Sequence, residues 1–113
     1  MHITEERQPG VFIIGLSKRL DSSTAKMVED RILSVIDGGV HHLVIDLAQL
    51  EYVSSAGLRV LLIAARRLRT ANGKLALSGP TDHVRKVFDI AGVTSFLSVH
   101  ASRDEAIRDV GLH

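Results

Sequence analysis

Two adjacent hydroxyl groups, those of Ser54 and Ser55, could do chemistry at the start of a predicted helix. They follow a short apolar run and precede a long helical pattern. A serine at this point can accept a hydrogen bond from an exposed N–H of the first helical turn, and such a cap is worth about 1 kcal/mol. Gly57 falls within that turn, so a neighbouring backbone or a partner is expected to approach it closely. From the residues alone, capping is the favoured role of the serines.

The other reactive side chains do not form a catalytic motif. Lys74 follows Gly73 but precedes Leu75, so the lysine–hydroxyl end of a phosphate-binding P-loop is missing, and so are the G-x-G-x-x-G and G-x-S-x-G motifs. No two histidines have the i, i+4 spacing of zinc ligands on a helix. All six are interpreted as surface loop residues: His2, His41, His42, His83, His100 and His113. We therefore expect no enzyme, no metal ion and no cofactor.

Composition and charge indicate a small globular protein that does not bind nucleic acid. The chain has 113 residues, 45% hydrophobic and 24% charged, which is the size of one domain over residues 1–113. Its net charge of +1 gives no broad electrostatic reason to bind nucleic acid. Four arginines of one predicted helix are interpreted as its solvated side, pairing to nearby acids: Arg59, Arg66, Arg67 and Arg69.

The sequence also bears on the cellular compartment. Cysteine is absent, which excludes disulfide bonds and thiolate metal sites. Residues 1–8 are polar and unlike a signal peptide. The longest apolar run, residues 60–65, is too short to cross a bilayer. We expect a cytoplasmic protein that does not insert into a membrane and is, by default, a monomer.

Strand and helix patterns alternate along the chain. Strands are predicted at residues 3–8, 11–16, 43–47, 75–77 and 96–99. Helices are predicted from a cap within 21–24 to Gly38, over 58–68, from Thr81 to Gly92, and after Ser102. The order β-β-α-β-α-β-α-β-α implies a largely parallel sheet with helical cover, in which only the opening hairpin must be antiparallel.

A longer motif surrounds the two serines. Asp46-Leu47 is followed by six residues and then by Ser-Ser-Ala-Gly-Leu-Arg-Val-Leu-Leu, which begins at Ser54. This motif resembles the hallmark of bacterial anti-sigma factor antagonists, which are small STAS domains. Supporting matches at residues 15–21 and 88–93 extend the resemblance over nearly the whole chain. It implies an α/β STAS fold: a small, mostly parallel sheet of four to five strands with an antiparallel N-terminal hairpin, packed against about four helices.

The resemblance also implies a function. In that family the module binds an anti-sigma factor, often also a serine kinase of the histidine-kinase ATPase fold, and so regulates transcription or a related signalling pathway. The kinase phosphorylates a serine three residues before the motif's leucine, and a metal-dependent serine phosphatase reverses this. Counting back three residues from Leu58 identifies Ser55 as the phosphorylated serine. Ser54 occupies the position where many members have aspartate, and it remains a rival acceptor. The implied partner-binding residues are Asp21, Ser54, Ser55, Ala56, Gly57, Leu58 and Arg59.

Several alternatives stay open at this stage. STAS domains also serve as constitutive, non-phosphorylated adaptors of membrane transport complexes, although a serine at position 55 argues against that function. Nucleotide binding with weak hydrolysis is disfavoured by the missing P-loop. Asp21 could cap the first helix, lie beside the switch, or do both. Asp46 is expected to order the Ser54–Ser55 loop by accepting backbone hydrogen bonds.

Overall fold

The computed structural model describes residues 2–111, which form five strands and four helices. A single 3₁₀ turn, Val93–Ser95, lies between the third helix and the last strand. The elements in chain order are β1 (His2–Gln8), β2 (Val11–Leu20), α1 (Ala25–Asp37), β3 (His42–Val53), α2 (Ser55–Thr70), β4 (Lys74–Ser78), α3 (Asp82–Ala91), β5 (Ser98–His100) and α4 (Arg103–Val110).

The five strands form one sheet in the order β1-β2-β3-β4-β5, so each strand pairs with the next one along the chain. The β1–β2 hairpin is antiparallel, and the three other pairings are parallel. This arrangement confirms the α/β fold predicted from the sequence, including the single antiparallel pair.

Apolar side chains cover both faces of the sheet. Successive strand residues point to opposite faces, so Phe12 and Ile14 join the larger core while Val11 and Ile13 join the smaller one. The larger core lies under α1, α2 and α3, with Ile32, Leu61 and Phe88 among its buried residues. The smaller core lies under α4 alone and consists of Val11, Ile13, Val44, Ala76, Ala106 and Val110.

Several element boundaries differ from the predicted ones. β2 continues to Leu20 and β3 to Val53, so the predicted ends at residues 16 and 47 were wrong. The two strands stay paired through two register shifts, and Lys18 has a φ of 70° at one of them. These irregularities interrupt the period-two alternation on which strand prediction depends. The last strand is also displaced, since β5 covers residues 98–100 rather than 96–99.

Two sets of ion pairs fasten α4 across the strands. Arg103 donates from Nη2 to Oδ2 of Asp46 at 2.7 Å and from Nη1 to Glu6 at 3.3 Å. At the other end of the helix, Asp109 accepts hydrogen bonds from Nζ of Lys74 and from Nε2 of His100, the latter at 2.9 Å. The α4 helix is therefore held by charged contacts at both ends and by apolar contacts between them.

Asp109 is expected to make the fold sensitive to acid. Partial burial alone would raise the pKa of this carboxyl, but hydrogen bonds from Lys74 and His100 outweigh burial and lower the pKa below its ordinary value of 3.8. A lowered native pKa contributes stability above the unfolded value, and that stability is lost as the pH falls through the native pKa. Asp109→Asn is therefore expected to cost at most about 1 kcal/mol at neutral pH.

The cost of Asp109→Asn should shrink toward zero as the pH falls through the lowered native pKa of Asp109, because both chains then carry a neutral side chain at this position. Urea unfolding at a series of pH values checks this. Asp37→Asn, which removes an exposed partner of Arg67, is the control. Parallel stability curves for wild type and Asp109→Asn would contradict the assignment.

Candidate functional site

The first turn of α2 is fixed by Ser54. The backbone of Ser54 is extended, and its Oγ accepts a hydrogen bond from the N–H of Gly57 at 3.3 Å, which satisfies an otherwise exposed helical donor. The N–H of Ser54 donates to the carbonyl of Leu20 at 2.9 Å. The capping role predicted for these serines is thus filled by Ser54, and α2 begins at Ser55, three residues before the predicted start at 58.

Gly57 allows α2 to approach the end of β2. A Cβ atom at this position would lie 2.5 Å from the carbonyl oxygen of Leu20, 2.8 Å from its Cγ and 2.9 Å from Cγ2 of Val53. Only a residue without a side chain fits against that backbone. Of the two explanations predicted for Gly57, the structure supports close approach of a neighbouring backbone.

Asp21 lies next to this turn, because it directly follows Leu20, whose carbonyl accepts the hydrogen bond from the N–H of Ser54. Its Oδ1 accepts hydrogen bonds from the N–H of Ser23 at 3.0 Å and from Oγ of Ser23 at 2.7 Å. Thr24 occupies the N-cap position of α1 but makes no side-chain capping bond there. Asp21 instead caps the turn that leads into α1, because its side chain accepts from Ser23 and its carbonyl accepts the N–H of Ala25 at 2.8 Å. The capping alternative for Asp21 therefore holds at this turn and not at Ala25, where the helix itself begins.

The carboxylate of Asp21 is a stable negative charge at this surface. The Ser23 hydroxyl lowers the pKa of Asp21 most strongly; partial burial opposes this shift, while the Ser23 N–H and Arg19 add to it. Nε of Arg19 lies 3.3 Å from Oδ2 of Asp21. Because both carboxylate oxygens accept hydrogen bonds in this turn, Asp21 stays ionised and oriented.

The predicted partner-binding residues come together at one end of the sheet but differ in exposure. Ser55 and Arg59 are exposed, and Asp21, Ser54 and Ala56 are half-buried. Gly57 and Leu58 are buried and belong to the packing beneath the surface. Of the two adjacent serines, Ser55 is therefore the exposed one.

Asp46 does not order the Ser54–Ser55 loop, so that prediction was wrong. Its Oδ1 accepts a hydrogen bond from the N–H of Ala48 at 3.0 Å, and its Oδ2 binds Arg103. Asp46 lies in the middle of β3, because that strand continues six residues beyond the predicted end at 47. Its role is to fasten α4, and the loop is ordered by the carbonyl of Leu20 instead.

Most histidines lie in regular elements, contrary to the prediction that they are loop residues. His2 and His100 are in strands, His42 begins β3 and His83 is in α3, while His41 precedes β3; His113 lies outside the described residues. The prediction that four arginines form the solvated side of α2 is confirmed. Arg59, Arg66, Arg67 and Arg69 are all exposed, and Nη1 of Arg67 lies 2.9 Å from Asp37.

Sequence reasoning missed a stack of side chains at the rim of the site. The Arg19 guanidinium lies 4.3 Å from the centre of the Tyr52 ring, and the Tyr52 ring stacks with His83 at 6.2 Å. Arg19 and Tyr52 are register partners on β2 and β3. No local pattern links these residues, because the contact depends on a pairing that follows two register shifts.

The described part of the chain provides neither a metal site nor a membrane span. Among residues 2–111, no group of three or more histidine, aspartate or glutamate side chains could hold a metal ion. None of the helices within this range is both long and apolar enough to cross a bilayer. The site itself presents an exposed serine at a helix N-terminus, beside an ionised carboxylate.

The sequence matches known proteins over nearly its whole length. Residues 2–106 match the sequence model of the STAS domain family. BtrV of Bordetella bronchiseptica, assigned as an anti-sigma factor antagonist, is 39% identical over 106 residues, which cover 94% of this chain and 91% of BtrV. The anti-sigma factor antagonist SpoIIAA in its unphosphorylated form superposes with a TM-score of 0.80 at 25% identity, over 96% of each chain. SpoIIAA, a cell fate determinant of Bacillus, has also been solved in a phosphorylated form.

A transport protein shares the fold. Part of murine Slc26a9, an anion transporter, superposes with a TM-score of 0.77 at 17% identity, covering 89% of this chain and 18% of the transporter. Sequence identity at this level shows a common fold and does not bear on a common activity.

Proposed function

The chain belongs to the STAS domain family of anti-sigma factor antagonists, and we propose that it binds an anti-sigma factor and is released when Ser55 is phosphorylated. The exposed hydroxyl of Ser55, on the first residue of α2, is the observation that carries this proposal. The comparison with SpoIIAA, which exists in both unphosphorylated and phosphorylated forms, supports a phosphate switch in such a domain.

The geometry favours Ser55 over Ser54 as the acceptor. Oγ of Ser54 is already bonded to the N–H of Gly57 in a half-buried position. Phosphorylation of Ser54 would add a bulky group to a half-buried oxygen that already accepts a hydrogen bond from the first turn of α2. Ser55 can accept a phosphoryl group while the cap stays in place.

The free domain can tolerate a phosphate at Ser55. A phosphoryl group adds about −1.5 to −2 charge, and the exposed N–H groups and dipole of a helix N-terminus favour negative charge. Ionised Asp21 lies beside the same turn, so phosphorylation would concentrate negative charge there. Inside a packed interface that charge must lose its water, which favours dissociation.

The partners we propose follow from the family. The anti-sigma factor would also be the serine kinase, with the histidine-kinase ATPase fold, and a metal-dependent serine phosphatase would restore the binding form. The chain would thus act as a cytoplasmic binding module and not as an enzyme. Relatives that are named as anti-sigma factor antagonists support the first of these partners.

An adaptor function in a membrane transport complex is less well supported. The similarity to Slc26a9 shows the fold alone. An adaptor also has no need of an exposed hydroxyl at the start of α2, whereas a phosphate switch requires one.

Phosphate mapping tests the acceptor directly. The chain purified from its native host is expected to carry one phosphoryl group, on Ser55, by mass spectrometry of its peptides. Ser55→Ala should abolish the modification, and Ser54→Ala should retain it despite losing a cap worth about 1 kcal/mol. A phosphate found on Ser54 in the wild-type chain would reverse the assignment of acceptor and cap.

A further inference from the structure

A separate cavity lies at the other end of the sheet from Ser55. It has a volume of about 610 Å³ and is formed by the β1–β2 turn, the segment that leads from α1 into the start of β3, and the α2–β4 turn. The starts of parallel β2 and β3 contribute to it, whereas Ser55 follows the end of β3. Its chemistry can therefore be considered apart from the proposed partner-binding site.

The lining of this cavity contains basic and neutral polar groups and no carboxylate. The polar side chains of the lining are those of Arg7, Gln8, His41, His42 and Asn72. The Arg7 guanidinium is held 5.0 Å from the centre of the Phe12 ring. Within residues 2–111 no carboxylate forms an ion pair with Arg7.

The same lining includes an apolar floor and an unsatisfied polar atom. Phe12 is buried beneath the cavity, and Val40, which packs on the same core as Phe12, also lines it. Nδ1 of His42 is buried and has no hydrogen-bond partner within the described residues. Buried polar atoms are normally paired, so His42 keeps unused hydrogen-bonding capacity beside this cavity.

We propose that this cavity binds a small organic anion, with a carboxylate or phosphate group on an apolar body. The anionic group would bind Arg7 through charge-assisted hydrogen bonds, which are stronger than neutral ones. The apolar body would lie against Phe12 and Val40. A mixed lining of this kind, with a few convergent polar groups over an apolar floor, is typical of small-molecule sites.

Amide chemical shifts of the full chain, labelled with ¹⁵N, test this proposal with matched probes. Benzoate and phenyl phosphate are expected to shift the amides of Gly10, His41, His42 and Asn72 in a saturable way, and the tighter of the two identifies the preferred head group. Benzyl alcohol, which has the same ring without the charge, should bind at least about tenfold more weakly.

Two arginine substitutions distinguish binding in this cavity from nonspecific attraction of anions to surface charge. Arg7→Gln is expected to weaken benzoate and phenyl phosphate binding by about tenfold, while Arg66→Gln, at an exposed arginine of α2, should leave it unchanged. Equal binding of benzyl alcohol, equal weakening by both substitutions, or no shift of these amides up to about 20 mM of either anion would overturn the proposal. None of these results depends on Ser55 or on an anti-sigma factor.

Discussion

Ser55→Glu is expected to weaken binding of the anti-sigma factor by more than about a hundredfold, which corresponds to a loss of about 3 kcal/mol. The carboxylate would stand on the first residue of α2, where Ser55 is exposed and Asp21 is already ionised. In the free chain, water and the helix N-terminus stabilise this charge. In a complex the charge must be desolvated beside a second carboxylate. This desolvation destabilises the complex and leaves the free chain unaffected.

The stability of Ser55→Glu separates this mechanism from damage to the fold. An acidic residue in the first helical turn should leave the free energy of unfolding unchanged or raise it by about 0.3–1 kcal/mol. Titration calorimetry with the purified anti-sigma factor gives the affinities of wild type, Ser55→Ala and Ser55→Glu. We expect Ser55→Ala to bind as tightly as wild type.

Ser55→Gln is the matched control, because glutamine has nearly the shape of glutamate without its charge. It should lose no more than about tenfold in affinity. If Ser55→Gln binds as weakly as Ser55→Glu, steric exclusion and not charge operates the switch. Full affinity in the glutamate variant would count against a switch at Ser55 altogether.

Gly57→Ala is expected to lower the free energy of unfolding by about 3 kcal/mol, at the upper end of ordinary overpacking costs. The added Cβ would lie 2.5 Å from the carbonyl oxygen of Leu20. That oxygen belongs to the backbone and accepts the N–H of Ser54, so it cannot move aside as a flexible side chain would. Alanine is also the better helix former by about 1 kcal/mol, so any destabilisation must come from packing.

Gly38→Ala provides the control for Gly57→Ala. Gly38 follows α1 with a φ of −77°, and a Cβ there would approach the nearest backbone oxygen only to 3.3 Å. Its cost should stay within about 1 kcal/mol. Urea unfolding of both variants measures the difference, and equal stability would mean that α2 can shift away from β2. In that case Gly57→Ala should still reduce partner binding, because Ser55 moves with α2.

The order of elements could be predicted from the sequence because each one has a strong local pattern. α1 has apolar residues at helical spacing, including Val28 and Ile32, and β4 is a short apolar run between turns. The ends of β2 and β3 could not be predicted, since polar residues and two register shifts conceal the pairing that continues to Leu20 and Val53. Pairing between distant segments decides those boundaries, and no window along one strand contains it.

The start of α2 at the centre of the site could be predicted from the sequence, whereas the contacts between distant residues around it could not. Ser54, Ser55 and Gly57 are adjacent in sequence, so their spacing alone indicated a helix start and a close approach. The role of Asp46 depends on Arg103, which is 57 residues away. Contacts of this kind exist only after the chain has folded, and charge alone does not identify the partner.

The position of α4 has a consequence for the protein during its synthesis. The chain is translated from its N-terminus, and every strand of the sheet can pair with its predecessor as soon as it leaves the ribosome. The eight-residue α4 emerges after all five strands, yet it alone covers the smaller core. Until α4 docks, a nascent chain exposes Val11, Ile13 and Val44 on an open sheet face, a surface that chaperones recognise and that promotes aggregation.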